Sequence, residues 1–207
     1  GVIEKAGLDV AKEVIKHRAY GQRITEIIGG KATHPVSGLP GGISKALSEE
    51  NRLAILDMSR SLVDFALFSL KTFHALVLDN PAYMELIKSD MYTQRTYYMG
   101  MVDDADRVNF YDGKVRVVDP DGKEFLKFDA QDYAEHIEER SEEWTYSKFP
   151  FLRSIGWKGF VDGRDNGVYR VGPLGRLNAS EGMATPLADQ EYRLLFSTLG
   201  KPAHGTL

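Results

Sequence analysis

The chain has 207 residues, with 26 Lys plus Arg against 30 Asp plus Glu for a formal net charge of −4, 43% hydrophobic residues and no cysteine. That length suits one domain, or two small ones, with a sizeable core, in a composition ordinary for a soluble globular protein. The missing cysteines exclude a disulfide framework, thiolate-held zinc or iron-sulfur and a thiol nucleophile, and the acidic balance argues against binding along a phosphate backbone, so nucleic acid is not an expected partner.

From about Glu4 to Ile28, apolar residues recur at Leu8, Ala11, Val14, Ile15, Ile24, Ile27 and Ile28, the period of an amphipathic helix. Gly21 inside it implies a bend or a close backbone neighbour, and Gly29 and Gly30 end it. The stretch Gly29 to Gly42 is rich in Gly and Pro and reads as a long ordered loop. Ser48, followed by Glu49 and Glu50, caps the longest helix, which runs to about Leu78.

Along that helix Asp57, Arg60, Asp64 and Lys71 form one narrow stripe and most of the remaining circumference is apolar, so it is expected to be central and covered by neighbours. No membrane span is expected, because each of those charges would cost about 2.5–3.5 kcal/mol at mid-bilayer on insertion scales. No basic and apolar leader pattern opens the chain. Pro81 starts a short helix to about Lys88.

From Met101 to Phe128 the period changes, and the runs Arg107 to Tyr111, Lys114 to Val118 and Lys123 to Phe128, separated by Asp112-Gly113 and Asp119-Pro120-Asp121-Gly122, predict an antiparallel meander. A polar helix is expected from Asp129 to Trp144, then an irregular aromatic segment to Arg170, then an amphipathic helix from Pro186 to Leu199. The expected class is mainly α with a small antiparallel β meander (α+β), as a single domain over residues 1–207: a helical part to 100, the meander over 101–128, and the remainder from 129.

The loop Gly29-Gly30-Lys31-Ala32-Thr33-His34-Pro35 invites a phosphate-cradle reading, but Thr25 stands where a Walker loop needs Gly, and Ala32 where it needs Ser or Thr. The five histidines, His17, His34, His74, His136 and His204, show no spacing that puts two imidazoles on one metal. His17, His74 and His136 read as helix-face or core residues, whereas His34 is fixed by Pro35 in a glycine-framed loop of the kind that carries function. The acidic cluster at Asp103, Asp104 and Asp106 and the run Asp162 to Gly167 lack the register of a calcium loop and read as turns. Glu135, Glu138, Glu139, Glu142 and Glu143 read as a solvated helix face.

The string His17 to Gly42, HRAYGQRITEIIGGKATHPVSGLPGG, resembles the central signature of the large subunit of nickel-iron hydrogenases, in the cytoplasmic, cofactor-coupled branch. The run Tyr169 to Asn178, YRVGPLGRLN, resembles that family's Gly-Pro-Leu-Ala-Arg-x-Asn segment, with Gly175 where Ala is more usual. The resemblance implies a parent that oxidises dihydrogen reversibly and heterolytically at a nickel-iron centre held by cysteines. With no cysteine here, it implies a central fragment, inactive alone and holding no metal or cofactor. Lys31, His34, Gly29, Gly30, Gly41 and Gly42 would then pack behind the metal site or at the subunit interface. The implied partners are cofactor-reducing subunits and the iron-sulfur small subunit of hydrogenase, in the cytoplasm. The alternative is a metal-free interaction module of the same fold, related to the quinone-site subunit of respiratory complex I. Exposed apolar surface and self-association are expected of the isolated chain.

Overall fold

A computed structural model describes residues 7–205, which fall into two compact units, Gly1–Glu85 and Leu86–Leu207. The class is α+β with small antiparallel sheets, as expected.

The first unit is a helical hairpin. Helix α1 (Leu8–Gly29) runs through Gly21 without a neighbour near that residue's missing Cβ, so Gly21 serves no close packing. Gly30 closes α1 in the left-handed region at φ 80°, its N–H returning to the Glu26 carbonyl. Strands β1 (Gly38–Leu39) and β2 (Gly42–Ile43) form a miniature hairpin, paired Gly38 with Ile43 and Leu39 with Gly42. Pro40 and Gly41, the latter at φ 83°, occupy its corner. Helix α2 (Glu49–Phe73) begins at Ser48, whose hydroxyl accepts from the Asn51 N–H, and continues as a π-helical turn, His74–Leu78. Helix α3 (Pro81–Lys88) follows.

The expected burial of α2 is overturned, for none of its residues is buried. Leu53, Leu56, Val63 and Leu67 are all exposed, because α1 packs on the opposite flank, where Ser61 and Phe65 meet His17. The segment Glu49–Leu78 is long and apolar enough, by length and composition, to cross a membrane.

The second unit is built on a four-stranded sheet ordered β5-β4-β3-β8, from β3 (Tyr97–Val102), β4 (Lys114–Val118), β5 (Glu124–Asp129) and β8 (Tyr169–Arg170). Its first three strands are antiparallel, Tyr98 facing Val118 and Val115 facing Phe128, while β8 adds in parallel to β3. Tyr97, Val117, Phe128 and Leu152 form the buried core, with Met99, Val115 and Ile137 packed on it. Helix α5 (Gly172–Asn178) lies on β3 at a separation only glycine permits. A Cβ on Gly100 would stand 2.7 Å from the Arg176 Cα, and one on Gly175 would stand 2.5 Å from the Arg170 carbonyl oxygen. Helix α6 (Pro186–Leu199) ends the regular structure.

Two expectations fail here. Arg107 to Tyr111 is not the first strand of the meander; Tyr97–Val102 is. Asp103 caps its own turn, its carboxylate accepting from the backbone N–H of Ala105 and Arg107, and Asp106 sits at φ 57°, so the chain bends where a strand would have to begin. The helix expected over Asp129 to Trp144 shrinks to a 3₁₀ turn (Ala130–Asp132) and one turn of α-helix, α4 (Tyr133–His136). Beyond it β6 (Ile137–Ser141) pairs antiparallel with β7 (Lys148–Leu152), which replaces part of the irregular segment. The glutamates at 138 and 139 are solvated as expected, but on a strand whose Ile137 side chain reaches the core. Asp119 holds the second meander turn as expected, accepting from the N–H of Asp121 and of Lys123.

Arg116 is the most deeply buried cation of this unit. Its guanidinium donates to Glu124 at 2.7 Å, Glu181 at 2.9 Å and the Ala179 carbonyl at 3.1 Å. Lys201 adds a bond to Glu181 at 2.8 Å. The two half-exposed carboxylates keep water access, so this network is a clamp between β4 and the segment after α5 and not an isolated buried charge.

Candidate functional site

The loop Gly29 to Gly42 gathers every candidate residue of the sequence reading. Gly29 is the buried one, and its Cα is pressed by Pro35: a Cβ there would lie 2.6 Å from the Pro35 Cβ. The Val36 N–H donates to the Gly29 carbonyl at 2.8 Å, which closes residues 29–36 into a ring. This closure pushes Lys31 and His34 outward, and both are exposed. His34 is held at φ 51°, a left-handed conformation that costs a non-glycine residue about 1–3 kcal/mol. Gly30 and Gly41 are needed for their positive φ, whereas Gly42 lies in ordinary strand geometry with open space around it. The loop therefore presents one ammonium and one imidazole on a rigid, solvent-facing frame.

His17 sits just upstream in a cleft of about 430 Å³ lined by Asp9, Glu13, Lys16, Ser61, Asp64 and Phe68. Its Nδ1–H donates to the Glu13 carbonyl at 2.7 Å, which leaves Nε2 to accept from the Ser61 hydroxyl at 3.0 Å. The ring stacks on Phe65 with centroids 4.1 Å apart and planes 6° from parallel. Both ring nitrogens are satisfied, so His17 works as a clasp between α1 and α2, the core role expected of it.

A second histidine pairing, in the other unit, escaped the sequence reading. Tyr98 is fully buried and its hydroxyl lies 2.7 Å from His204 Nδ1. Burial pushes the Tyr98 hydroxyl up to about 12, so it stays protonated and donates. Burial, reinforced by the Arg95 and Arg170 guanidinia, holds the His204 imidazole below its ordinary value, with Asp121 and Asp162 opposing. Arg170 donates to the His204 carbonyl at 2.9 Å, and the Gln94 N–H to the same oxygen at 3.1 Å. A residue separation of 106 left no local signal by which this pair could be found.

The pair makes stability depend on pH. With the folded imidazole harder to protonate than the unfolded one, the unfolded chain binds more protons between the two values. Stability is therefore full above the unfolded histidine value near 6.5 and falls as pH drops through the window beneath it. Urea melts from pH 7.5 to 5 should show this fall, and His204→Gln should flatten it; an unchanged slope in that variant would contradict the assignment.

Over nearly its whole length the chain is similar to subunits of hydrogenases. It is 41% identical over 205 residues to the F420-non-reducing hydrogenase iron-sulfur subunit of Archaeoglobus profundus, covering 99% of this chain and 42% of that protein. It is 40% identical over 207 residues to the vhu F420-non-reducing hydrogenase subunit of Methanocaldococcus jannaschii, covering 100% and 46%. With the beta subunit of the NAD-reducing hydrogenase HoxS of Cupriavidus necator the identity is 34% over 196 residues, covering 92% and 38%. Among solved structures, a chain of NAD+-reducing NiFe-hydrogenase in the H2-reduced state matches with a TM-score of 0.77 and 26% identity, covering 99% of this chain and 43% of that one. No protein-family model matches the chain. The chain spans less than half the length of these relatives.

These names correct the sequence reading. The relatives bear the names of an iron-sulfur subunit, a vhu subunit and a HoxS beta subunit. The expected placement as a central fragment of a nickel-iron large subunit therefore gives way to similarity with hydrogenase subunits of the vhu and HoxS beta type. The metals those names bring to mind do not fit the residues present. An iron-sulfur or nickel-iron group needs soft thiolates, the chain has no cysteine, and among the described residues no group of three or more His, Asp or Glu could hold a metal ion.

Proposed function

We propose that this chain serves as part of a hydrogenase, an oxidoreductase, in the manner of the vhu and HoxS beta subunits, and that its own contribution is framework and docking surface. The observation that carries the reading is a similarity extending over 99–100% of the chain to two F420-non-reducing hydrogenase subunits. The absence of any thiolate supports assigning metal chemistry to other polypeptide. Its partners are subunits that reduce a soluble cofactor and one that bears iron-sulfur clusters, and the assembly works in the cytoplasm.

The loop Gly29 to Gly42 is the docking element of this reading. It is rigid before binding, so little conformational entropy is lost on association. Lys31 and His34 are the groups it offers, and the strained backbone of His34 marks a position where geometry has been kept against its conformational cost. Co-expression with the genes flanking its own, followed by tag purification, tests the proposal: the chain should carry hydrogenase subunits with it. Lys31→Glu combined with His34→Glu should weaken that recovery about tenfold while leaving the circular dichroism unchanged. Recovery of the chain alone, or stoichiometric nickel bound to it in isolation, would overturn the reading.

A further inference from the structure

Between β7 and β8 the chain runs through an irregular segment, residues 153–168, whose inner side is tied down by one side chain. Asn166 is 2% exposed and uses both ends of its amide. Its Nδ2 donates to the Gly159 and Val161 carbonyls, each at 2.7 Å, and its Oδ1 accepts from the Lys158 N–H at 3.0 Å. Gly167 beside it is just as constrained. Its N–H donates to the Gly156 carbonyl and its own carbonyl accepts from the Leu152 N–H, both at 2.8 Å. A Cβ on Gly167 would stand 2.7 Å from the Leu152 carbonyl oxygen and 2.8 Å from that of Gly156. The fold therefore needs an amide at 166 and no side chain at 167. Together these requirements impose an Asn-Gly step, and of the five asparagines in the chain this is the only one followed by glycine.

Asparagine is a thermolabile residue, and most so before glycine, which leaves its backbone nitrogen unshielded next to the side-chain amide carbon. We propose that Asn166 is a self-modification site gated by opening of this loop: the Gly167 nitrogen attacks Asn166 Cγ, and the resulting deamidation unlatches residues 156–167 irreversibly. The Gly167 nitrogen gives its proton to solvent base and bonds to Cγ. The Cγ–Nδ2 bond breaks, and Nδ2 takes up a proton and leaves as ammonia. One water then opens the succinimide ring at either of its carbonyls, giving aspartate or isoaspartate, with nothing oxidised or reduced. While the loop is closed, the Gly156 carbonyl engages the attacking N–H and three hydrogen bonds hold the Asn166 amide, so the reaction waits on opening. The product does not fit back. A carboxylate at 166 has no hydrogen to offer the Gly159 and Val161 carbonyls and sets its charge against both oxygens in a buried site. From outside, opening is opposed by Asp162, which accepts from the Arg95 N–H at 2.9 Å, and by Arg164, which pairs with Asp119 at 2.9 Å and with Asp121.

Peptide mapping by mass spectrometry of the full chain, aged at mildly alkaline pH either folded or in denaturing urea, tests the proposal. Isoaspartate at position 166 should accumulate, about a hundredfold faster in urea than in the folded chain. Asp162→Ala combined with Arg164→Ala loosens the loop from outside and should speed the folded-state reaction about tenfold, with circular dichroism reporting the same fold. Asn166→Asp makes the product directly. It should raise hydrogen exchange at the Leu152 and Gly167 amides about a hundredfold while the amides of β4 stay protected. If that variant fails to fold, the ageing rates of the other two chains decide. No isoaspartate at 166, equal rates folded and in urea, no gain in the double variant, or unchanged exchange in Asn166→Asp would each overturn the proposal.

Discussion

Asn178→Leu is expected to destabilise the second unit by about 3–4 kcal/mol, the cost of stranding two buried backbone groups. The Asn178 side chain is fully buried and braces the segment after α6 from both sides. Its amide donates to the Ala203 carbonyl at 2.8 Å, and its carbonyl accepts from the Ala203 N–H at 2.8 Å. Leucine keeps the branched heavy-atom skeleton, though with bulkier methyl groups, but serves neither group, and Ala203, 2% exposed, has no access to water as a substitute. The loss would lower the melting temperature by roughly 10–20 °C for a unit of this size. Thr96→Val is the matching control, because the buried Thr96 hydroxyl has no partner among the described residues; it should be neutral or slightly stabilising. Thermal melts of the two variants decide the matter, and equal losses would show that shape rather than hydrogen bonding is responsible.

Gly175→Ala carries the other large effect, a loss of about 3 kcal/mol from overpacking. A methyl group at this position would meet the Arg170 carbonyl at 2.5 Å and 2.9 Å and the Met99 carbonyl oxygen at 3.0 Å, all backbone atoms that cannot rotate away. Helix α5 would have to lift from β3, and Gly100, facing Arg176 across the same contact, shows how little clearance exists. In sequence Gly175 is only a minor departure from the Ala of the resembled segment. In the folded chain it is fitted to a backbone approach that alanine would open. Denaturant unfolding of the variant should show a lower midpoint with an unchanged slope.

Local chemistry was the legible part of this fold. Ser48, Gly30, Pro81, Pro186 and the turn Asp119 to Gly122 each do what their side chains or backbone freedom dictate within a few residues. The misreadings came where distant partners decide. Tyr97–Val102 holds Gly100 and two methionines, with no clean alternation, because its two faces are filled by a helix and by a core. Ile137–Ser141 reads as helix until Lys148–Leu152 is there to pair with it. The loop carrying Lys31 and His34 was visible through its glycines and prolines, and so was a similarity to hydrogenase subunits. The subunit designation was not, since it rests on proteins more than twice this length. The exposure of α2 was likewise invisible, because a helix apolar around most of its girth looks the same in sequence whether its cover comes from its own chain or from another.

The sheet order has a kinetic meaning. β3, β4 and β5 follow one another along the chain and zip through short turns, whereas β8 reaches β3 only after Tyr169 has returned to Tyr97 across the whole intervening sequence. The entropy of closing so long a loop places this parallel addition late in folding. The segment around Arg170, which holds the His204 carbonyl and forms the floor beneath Gly175, is thus the last part of the sheet to arrive and the first to leave. Changes in it register mainly in the rate of unfolding, so the lifetime of the folded unit, more than its rate of formation, is set at the β8 edge.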